Sequence, residues 1–207
     1  MVDFLTKLRT LCRGIPLDHR RGKEGARSNS FEHQMRTRSL MDVTLTEMNV
    51  GSYADQAVCP ELMQKVLLAA MAASSAGDQR PWHFVVVENH GTREQMAEIL
   101  HPFAHMLPEA PVAILVCGDP TLQKHAGFWV QDCAAATENI LIKARALGLG
   151  AVWLRIYPVE GRVQNFRKLL NLPPHVIPFA LTPVGYPAEK SEPKCRYDDS
   201  RVHFDRW

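Results

Sequence analysis

The chain has 207 residues, of which 46% are hydrophobic and 22% are charged, and its formal net charge is +2. These values are typical of a globular protein that can bury its own core, and the bulk charge gives no reason to expect a nucleic acid or a membrane surface as partner. No apolar run is long enough to span a bilayer, and the first residues lack the apolar stretch of a secretory leader. The five cysteines form no CxxC pair, which predicts free thiols in a reducing cytoplasm rather than a disulfide framework or a metal site.

Residues 1–45 differ from the rest of the chain. They carry nine Lys and Arg and five Asp and Glu, with few sustained apolar periods. Residues 2–12 could form a short helix with an apolar side, whereas residues 18–30 have the composition of a solvated loop or a disordered segment. We therefore expect an atypical, partly disordered N-terminal extension over 1–45 and a folded domain over 46–207.

From about residue 54 the pattern becomes regular. Four segments have the 3.6-residue apolar period of helices: 61–73, 93–100, 129–147 and 162–170. Four others have the length and composition of strands: 83–87, 111–117, 151–156 and 180–184. Thr92 is the expected N-cap of the second helix, with Gln95 completing a capping box, and Gly148 can end the third helix. The alternation of helices and strands points to α/β or α+β layers around one sheet.

Residues 74–82 (SSAGDQRPW) lie between a predicted helix and a predicted strand. The segment combines small residues, a glycine and three hydrogen-bonding side chains. A flat heteroaromatic ring with an imide edge needs such a loop, because small residues allow the backbone to approach and polar side chains meet the N–H and C=O groups. Taken alone, however, the segment is better interpreted as a polar turn that ends a helix.

Two further segments carry polar groups beside core elements. Residues 131–133 open the long helix, which leads through a glycine-containing turn to residues 151–155, and in isolation this is a core helix feeding a strand. Residues 196–201 could present Ser200 and Arg201 to a phosphate, although such a stretch is more commonly a solvated tail. The tail is polar but ends in apolar residues, which suggests that it packs on another surface.

Four motifs occur in a defined order: SSAGDQRPWHFVVVE, WVQDCAAATENILIKARALGLGAVWL, LNLPPHVIPFALTPVGYPAE and RYDDSRVHFDRW. Together they closely resemble the nitroreductase family of flavoproteins over about residues 50–207. The resemblance implies an α+β (α/β layered) fold with a mixed sheet flanked by helices, in an intertwined homodimer that binds FMN at its interface. The apolar end of the tail would then wrap the partner subunit.

The resemblance also assigns roles to individual residues. The positions expected to line the flavin in the first motif are Ser74, Ser75, Ala76, Asp78 and Gln79. Residues Trp153, Leu154 and Arg155 would run along the flavin face with their backbone N–H groups near its reactive atoms, and Arg201 would meet the FMN phosphate.

The activity implied by the resemblance is a ping-pong reaction. NADH or NADPH reduces the flavin and leaves, and a small aromatic or conjugated acceptor is reduced in its place. The flavin supplies the chemistry and the protein supplies orientation and electrostatics, so no catalytic side chain and no metal are expected. The expected partners are a second copy of the chain and a small-molecule acceptor, with no nucleic acid and no membrane.

The sequence departs from the family pattern before residue 52. The family usually has a basic stretch of the type R-R-S-x-R there, which grips the FMN phosphate, whereas this chain has residues 47–51 (EMNVG). Each lost charge-assisted hydrogen bond is worth about 1.5–3 kcal/mol. The upstream residues Arg36, Arg38 and Ser39 could be the same motif displaced by an insertion. Other basic residues such as Arg20 and Arg21 could replace it, or the phosphate site could be degraded.

Two more departures fall inside the expected site. Asp78 replaces an asparagine, and an ionised carboxylate there would disfavour the anionic reduced flavin and lower its reduction potential unless Arg80 offsets the charge. Alternatively, Asp78 turns to solvent or caps a backbone N–H. Arg155 stands where near relatives often have glycine, and it could narrow the substrate pocket, select an anionic acceptor, or point away and pair with Glu160.

Two rival functions remain open at this point. One is a non-catalytic or weakly flavin-binding relative whose phosphate site is degraded, for which residues 47–51 are the supporting feature. The other keeps FMN but uses it for a different reaction, such as reductive dehalogenation or dehydrogenation of a peptide-bound ring.

Overall fold

A computed structural model describes residues 50–189 and 197–207. Residues 50–189 belong to one structural unit, and residues 197–207 belong to a second unit that is described by itself. The predicted N-terminal helix, the expected disorder over 1–45 and the predicted boundary at residue 46 lie outside the described residues. Among the described residues, no helix has the length and apolar character needed to cross a membrane.

The unit over 50–189 is organised around a five-stranded sheet. Its strands are β1 (Trp82–Val87), β2 (Val112–Gly118), β3 (Gly150–Ala151), β4 (Leu154–Arg155) and β5 (Ile177–Gly185). The order across the sheet is β1-β2-β5-β3, and β4 also pairs with β5. Every pairing between described strands is antiparallel. β2 is buried along its whole length because it has a strand on each side and helices on both faces.

Four helices flank the sheet, which confirms the predicted α+β class. They are α1 (Pro60–Met71), α2 (His90–Ile99), α3 (Trp129–Ala146) and α4 (Glu160–Leu169). Alternate residues of β2 face opposite sides, as the two-residue period of a strand requires. Val112, Ile114 and Val116 join the apolar cluster that contains α1 and α3 residues, whereas Ala113, Leu115 and Cys117 join the cluster that contains α2 and α4 residues.

The predicted elements are found with shifted ends. The third helix ends as expected at Gly148, which has φ +77° and donates its N–H to the Arg145 carbonyl at 2.9 Å. The predicted N-cap of α2 is wrong. The cap is Asn89, whose side chain accepts from the Thr92 N–H at 2.9 Å, so the helix begins before Thr92 and includes it.

The predicted continuous strand over 151–156 is also wrong, because it is divided into β3 and β4. Both short strands keep one register against β5, with Ala151 opposite Val184 and Leu154 opposite Leu181. That register places residue 152 opposite Pro183, which has no N–H to donate to the ladder. The Pro183 carbonyl instead accepts from the Tyr53 hydroxyl at 3.1 Å. A proline in the central strand therefore interrupts its neighbour.

Candidate functional site

The loop between α1 and β1 has an unusual backbone. It contains a short 3-10 turn, Ala76–Asp78, and three positions with positive φ: Gly77 at +56°, Asp78 at +54° and Arg80 at +46°. Residues with a side chain adopt that region rarely and at a cost in energy. The loop therefore depends on contacts that hold it in place, and it lies where the sequence places the first candidate site.

A buried carboxylate braces the loop from the α3 side. Asp132, in the first turn of α3, is 5% exposed. Its Oδ1 accepts from the Ala76 N–H at 3.0 Å, and its Oδ2 accepts from Gln79 Nε2 at 2.5 Å. In sequence, residues 131–133 could only be interpreted as the start of a core helix, so the link between Asp132 and the loop was missed.

The segment before α3 braces the loop from a second direction. The Gln79 side chain is buried, and its Oε1 accepts from the backbone N–H groups of Lys124 (2.8 Å) and His125 (3.0 Å). Lys124 Nζ donates to the Gly77 carbonyl at 3.2 Å. A Cβ added to Gly77 would lie 2.6 Å from His125 Nε2, so the imidazole packs directly on the glycine.

The outward side of the loop carries an exposed ion pair. Arg80 donates to both carboxylate oxygens of Asp78, from Nε at 2.7 Å and from Nη2 at 2.9 Å. The hydrogen bond from Arg80 is the main cause that lowers the pKa of Asp78, and the charge of Lys124 contributes. Both environments predicted for Asp78 are thus found together: its side chain turns to solvent, and Arg80 offsets its charge.

The predicted segment over 153–155 forms an aromatic wall with residues around it. The rings of Trp153 and Phe179 are 6.0 Å apart, and the guanidinium of Arg155 lies 5.7 Å from the centroid of the Trp153 ring. Arg155 thus stacks on Trp153, an arrangement that is not among those predicted for it from the sequence. The Leu154 side chain is buried in the cluster on the opposite side of the sheet, so only its backbone could meet a ligand on the Trp153 side.

The first turn of α3 connects the loop to this wall. Trp129 is the first residue of α3, one turn before Asp132, and it is 7% exposed. Its ring lies 4.9 Å from the Tyr157 ring and 6.2 Å from the Phe179 ring. The braced loop and the aromatic wall are therefore both fixed to the same end of one helix.

The remaining predicted site residues fall into two groups. Arg201 lies in the short turn Asp199–Arg201 of the separately described segment, where its Nε donates to Asp198 Oδ2 at 3.1 Å and the Arg201 side chain is exposed. Hydrogen bonds from Ser200, and then from Arg201, lower the pKa of Asp198. Arg36, Arg38 and Ser39 lie outside the described residues.

A second polar cluster surrounds Asp119 and has little signature in the sequence. Asp119, just after β2, is buried, and its Oδ1 accepts from the Thr121 N–H at 2.9 Å. His83 Nε2 and His175 Nε2 lie 3.3 and 3.8 Å from its Oδ2. Burial alone would raise the pKa of Asp119, but the hydrogen bonds from Thr121 and His83 and the charge of His175 outweigh it and lower that pKa. The only local signal was an Asp-Pro-Thr turn, since the histidines come from distant strands and loops.

The described residues fit the ring of FMN. Ser74 and Asp78 carry polar side chains on the loop, and Ser75 Oγ accepts from the Arg80 N–H at 3.0 Å, so that its hydroxyl can still donate. Hydroxyl, carboxylate and guanidinium groups at one loop match a ring edge that carries both N–H and C=O groups. Within residues 50–189 and 197–207, no group of three or more His, Cys, Asp or Glu is arranged to hold a metal ion.

Comparison with known proteins identifies the family. The model of the nitroreductase family matches residues 51–112 and 101–186. A "Putative NADH dehydrogenase/NAD(P)H nitroreductase" of Methanothermobacter thermautotrophicus is 47% identical over 168 residues, which cover 81% of this chain and 87% of that protein. The crystal structure of a protein of the same name from Parabacteroides distasonis has a TM-score of 0.78 and 41% identity, covering 82% of this chain and 99% of its own.

A more distant relative is the "FMN reductase [NAD(P)H]" of Bacillus subtilis, 26% identical over 75% of this chain and 68% of its own length. The match of the family model over residues 51–186 and the identity of 41–47% to the first two relatives lead to one conclusion. The chain belongs to the nitroreductase family.

Proposed function

We propose that the protein is an FMN-dependent oxidoreductase that takes reducing equivalents from NADH or NADPH and passes them to a small aromatic or conjugated acceptor. Its relatives are named NAD(P)H nitroreductase and FMN reductase. The observation that carries the proposal is the loop over 74–80, which is fixed from inside by Asp132 and Gln79 and leaves Ser74, Ser75 and Asp78 on its outer side.

In this proposal the ring of FMN lies between the loop and the aromatic wall. The small residues Ser74, Ser75 and Ala76 allow the ring to approach the backbone, while Ser75 and Asp78 provide polar groups for its edge. The backbone of residues 153–155 borders the ring on the other side. When bound, FMN supplies the hydride chemistry. The chain's own residues bind and orient it, and no side chain is assigned a proton-transfer role.

The electrostatic contribution of the protein comes from the Asp78–Arg80 pair. A carboxylate beside the ring disfavours negative charge on it, and the neighbouring guanidinium opposes this effect. We expect Asp78→Asn to raise the reduction potential of the bound flavin and Arg80→Gln to lower it, as measured by redox titration of the loaded enzyme. If the flavin has the same reduction potential in both variants and in the wild type, the Asp78–Arg80 pair does not lie close enough to the ring to affect it.

The phosphate of FMN needs a separate set of ligands. We propose Arg201 together with the displaced motif Arg36, Arg38 and Ser39. A measurement of FMN and riboflavin dissociation constants tests this set, because riboflavin has the ring without the phosphate. Two charge-assisted hydrogen bonds at about 1.5–3 kcal/mol each predict that FMN binds on the order of 100-fold or more tightly than riboflavin. The ratio should fall in Arg36→Gln and Arg38→Gln if these residues contribute.

A homodimer is part of the proposal, since the family resemblance places FMN between two subunits. Leu68 and Met71 on α1 are 59% and 50% exposed, and Trp207 is fully exposed. Large apolar side chains in such positions are typical of surfaces that another chain covers. Light scattering coupled to size-exclusion chromatography should give the mass of two chains, and a mass of one chain would refute this part.

The first test of the function is a visible spectrum of the purified protein, before and after FMN and then NADH or NADPH are added. A yellow protein that is bleached by a nicotinamide cofactor and recovers with an added nitroaromatic or quinone is the expected result. A folded protein that leaves FMN unbound would favour the second candidate, a non-catalytic relative. That candidate has one supporting observation, the residues EMNVG at 47–51 in place of the family's basic stretch.

A further inference from the structure

We propose that Gln79 and Asp132 are positioning residues. Together they form a brace, a pair of buried side chains whose hydrogen bonds run in one fixed direction and hold the loop over residues 74–80 in place. In this proposal Gln79 stabilises the loop from the protein interior and is not itself a flavin ligand. The inference deepens the proposed function, on which its ligand-binding readout rests. Both side chains are buried, at 7% and 5% exposure. The hydrogen bonds that they form join the loop to α3 and to the segment before it.

The direction of the brace is set by the backbone. The N–H groups of Lys124 and His125 can only donate, so the group that meets them at 2.8 and 3.0 Å must be the Gln79 oxygen. The Gln79 nitrogen then has to face Asp132, where it donates to Oδ2 at 2.5 Å. The orientation of this amide is therefore determined by its neighbours.

The same reasoning determines the residue at position 132. It accepts from the Ala76 backbone N–H at one oxygen and from the Gln79 nitrogen at the other. An asparagine has only one oxygen, so whichever way it turned, its NH2 group would face a donor. The carboxylate in the first turn of α3 also lies at the positive end of that helix. A carboxylate is thus the side chain that satisfies this position.

The brace holds the loop on both sides of its first two strained residues. Ala76 and Gln79 flank Gly77 and Asp78, which have φ values of +56° and +54°. Fixing the two flanking residues fixes the outer side of the loop, which carries Ser75 and Asp78. In the proposed function, Asp132 therefore acts on flavin binding through the loop and does not touch the ring.

Three variants test the brace. Asp132→Asn places the new NH2 group against the Ala76 N–H or the Gln79 NH2 group, which are also donors. Gln79→Glu places the new carboxylate against the carboxylate of Asp132. In the double variant, Gln79→Glu with Asp132→Asn, the carboxylate introduced at position 79 accepts from the Lys124 and His125 N–H groups and from the amide introduced at position 132. The oxygen of that amide accepts from the Ala76 N–H, so every bond is restored and one negative charge is retained. We expect each single variant to weaken FMN binding at least tenfold and the double variant to return to within about threefold of wild type.

Two controls separate positioning from stability. Tyr53→Phe removes a buried hydrogen bond to Pro183 in another part of the unit, and it should lower the melting temperature while leaving the FMN dissociation constant unchanged. Hydrogen exchange of residues 74–81, measured without FMN, should rise in the single variants and recover in the double variant. If a single variant is too unstable to be titrated with FMN, hydrogen exchange in the double variant can still be compared with that in the wild type.

The outcomes are distinguishable. If wild type binds no FMN, the proposed function fails, while the exchange measurement still decides whether the brace exists. Single variants that bind FMN as wild type does, or a double variant no better than the singles in exchange, would overturn the inference. Restored exchange with FMN binding still lost would show that the Gln79 amide itself contacts the flavin, and this would also overturn it.

Discussion

A close approach between the sheet and α3 provides a sharp test of the packing. Gly118, the last residue of β2, lies against Trp129, and a Cβ added there would meet the indole ring, with Cζ3 2.5 Å away and Cε3 closer still. The ring has little freedom to retreat, because it is 7% exposed and is packed on Tyr157 and Phe179. Gly118→Ala therefore forces a displacement of packed aromatic residues.

The size of the effect follows from the distance. Carbon atoms in contact are about 3.5–4.0 Å apart, so the ring has to move by roughly 1 Å or more. Overpacking of this kind costs about 1–3 kcal/mol, occasionally more. Because the obstacle is a rigid ring rather than a flexible chain end, we expect about 3 kcal/mol. For a chain of this length, that corresponds to a fall in melting temperature of roughly 6–12 °C.

The assay is thermal and urea unfolding of the variant beside a matched control. Gly161→Ala makes the same chemical change in α4, where an added Cβ meets nothing within 4 Å, and it should be stabilising by a few tenths of a kcal/mol to about 1 kcal/mol. Gly118→Ala combined with Trp129→Leu should be less destabilised than the sum of the single variants. A Gly118→Ala protein that melts within about 2 °C of wild type, well below the expected shift, would refute the packing described here.

Three further predictions use buried polar and thiol groups. Tyr53→Phe should lower the free energy of unfolding in urea by about 1 kcal/mol, and equal unfolding of variant and wild type at neutral pH would contradict the buried hydrogen bond. Because burial raises the pKa of Tyr53, the wild type should also lose stability above about pH 10, where the unfolded tyrosine ionises. The pKa of Asp119 is lowered, so the stability that its carboxylate contributes is present above about pH 4 and is lost on acidification. The difference in unfolding free energy between wild type and Asp119→Asn should therefore be about 1–2 kcal/mol near neutral pH and should shrink below about pH 4. A difference that does not change with pH would contradict the lowered pKa. Among the three described cysteines, Cys59 is exposed whereas Cys117 and Cys133 are buried, and burial raises the pKa of Cys117 to about 12. A thiol reagent at mildly alkaline pH should therefore label only Cys59 of these three, as measured by peptide mass spectrometry. Labelling of Cys117 in the native protein would contradict its burial in the core.

The sequence was sufficient for the type and approximate place of the four helices and of strands β1, β2 and β5. The helices have a clear 3.6-residue apolar period, and these strands have the length and composition typical of strands. The errors have physical causes that local patterns do not contain. The predicted strand over 151–156 is divided because its partner strand places Pro183 opposite it, and that pairing joins segments far apart along the chain. The cap of α2 is Asn89 rather than Thr92, since either residue can cap and only the structure decides where the helix begins.

The sequence was sufficient to predict where the candidate loop lies, but not which side chains hold it in place. The small and polar residues at 74–79 indicate a place where a ring can approach, and this follows from residue types. The inward direction of Gln79 does not, because it depends on two backbone N–H groups 45 and 46 residues away. Asp132 was equally hidden, since one polar residue in the first turn of an amphipathic helix usually faces solvent.

The energies of the loop explain why such a brace is needed. Gly77 adopts its positive φ without cost, but Asp78 and Arg80 have side chains, and each such position costs about 1–3 kcal/mol. The exposed pair between Asp78 and Arg80 returns little of this, because water screens it. Two hydrogen bonds to the buried Asp132 carboxylate, at about 1.5–3 kcal/mol each, are of the size required. Removing one of these bonds should therefore loosen the loop, which keeps the hydrogen bonds from Lys124 and His125, while the core, which has its own contacts, stays folded.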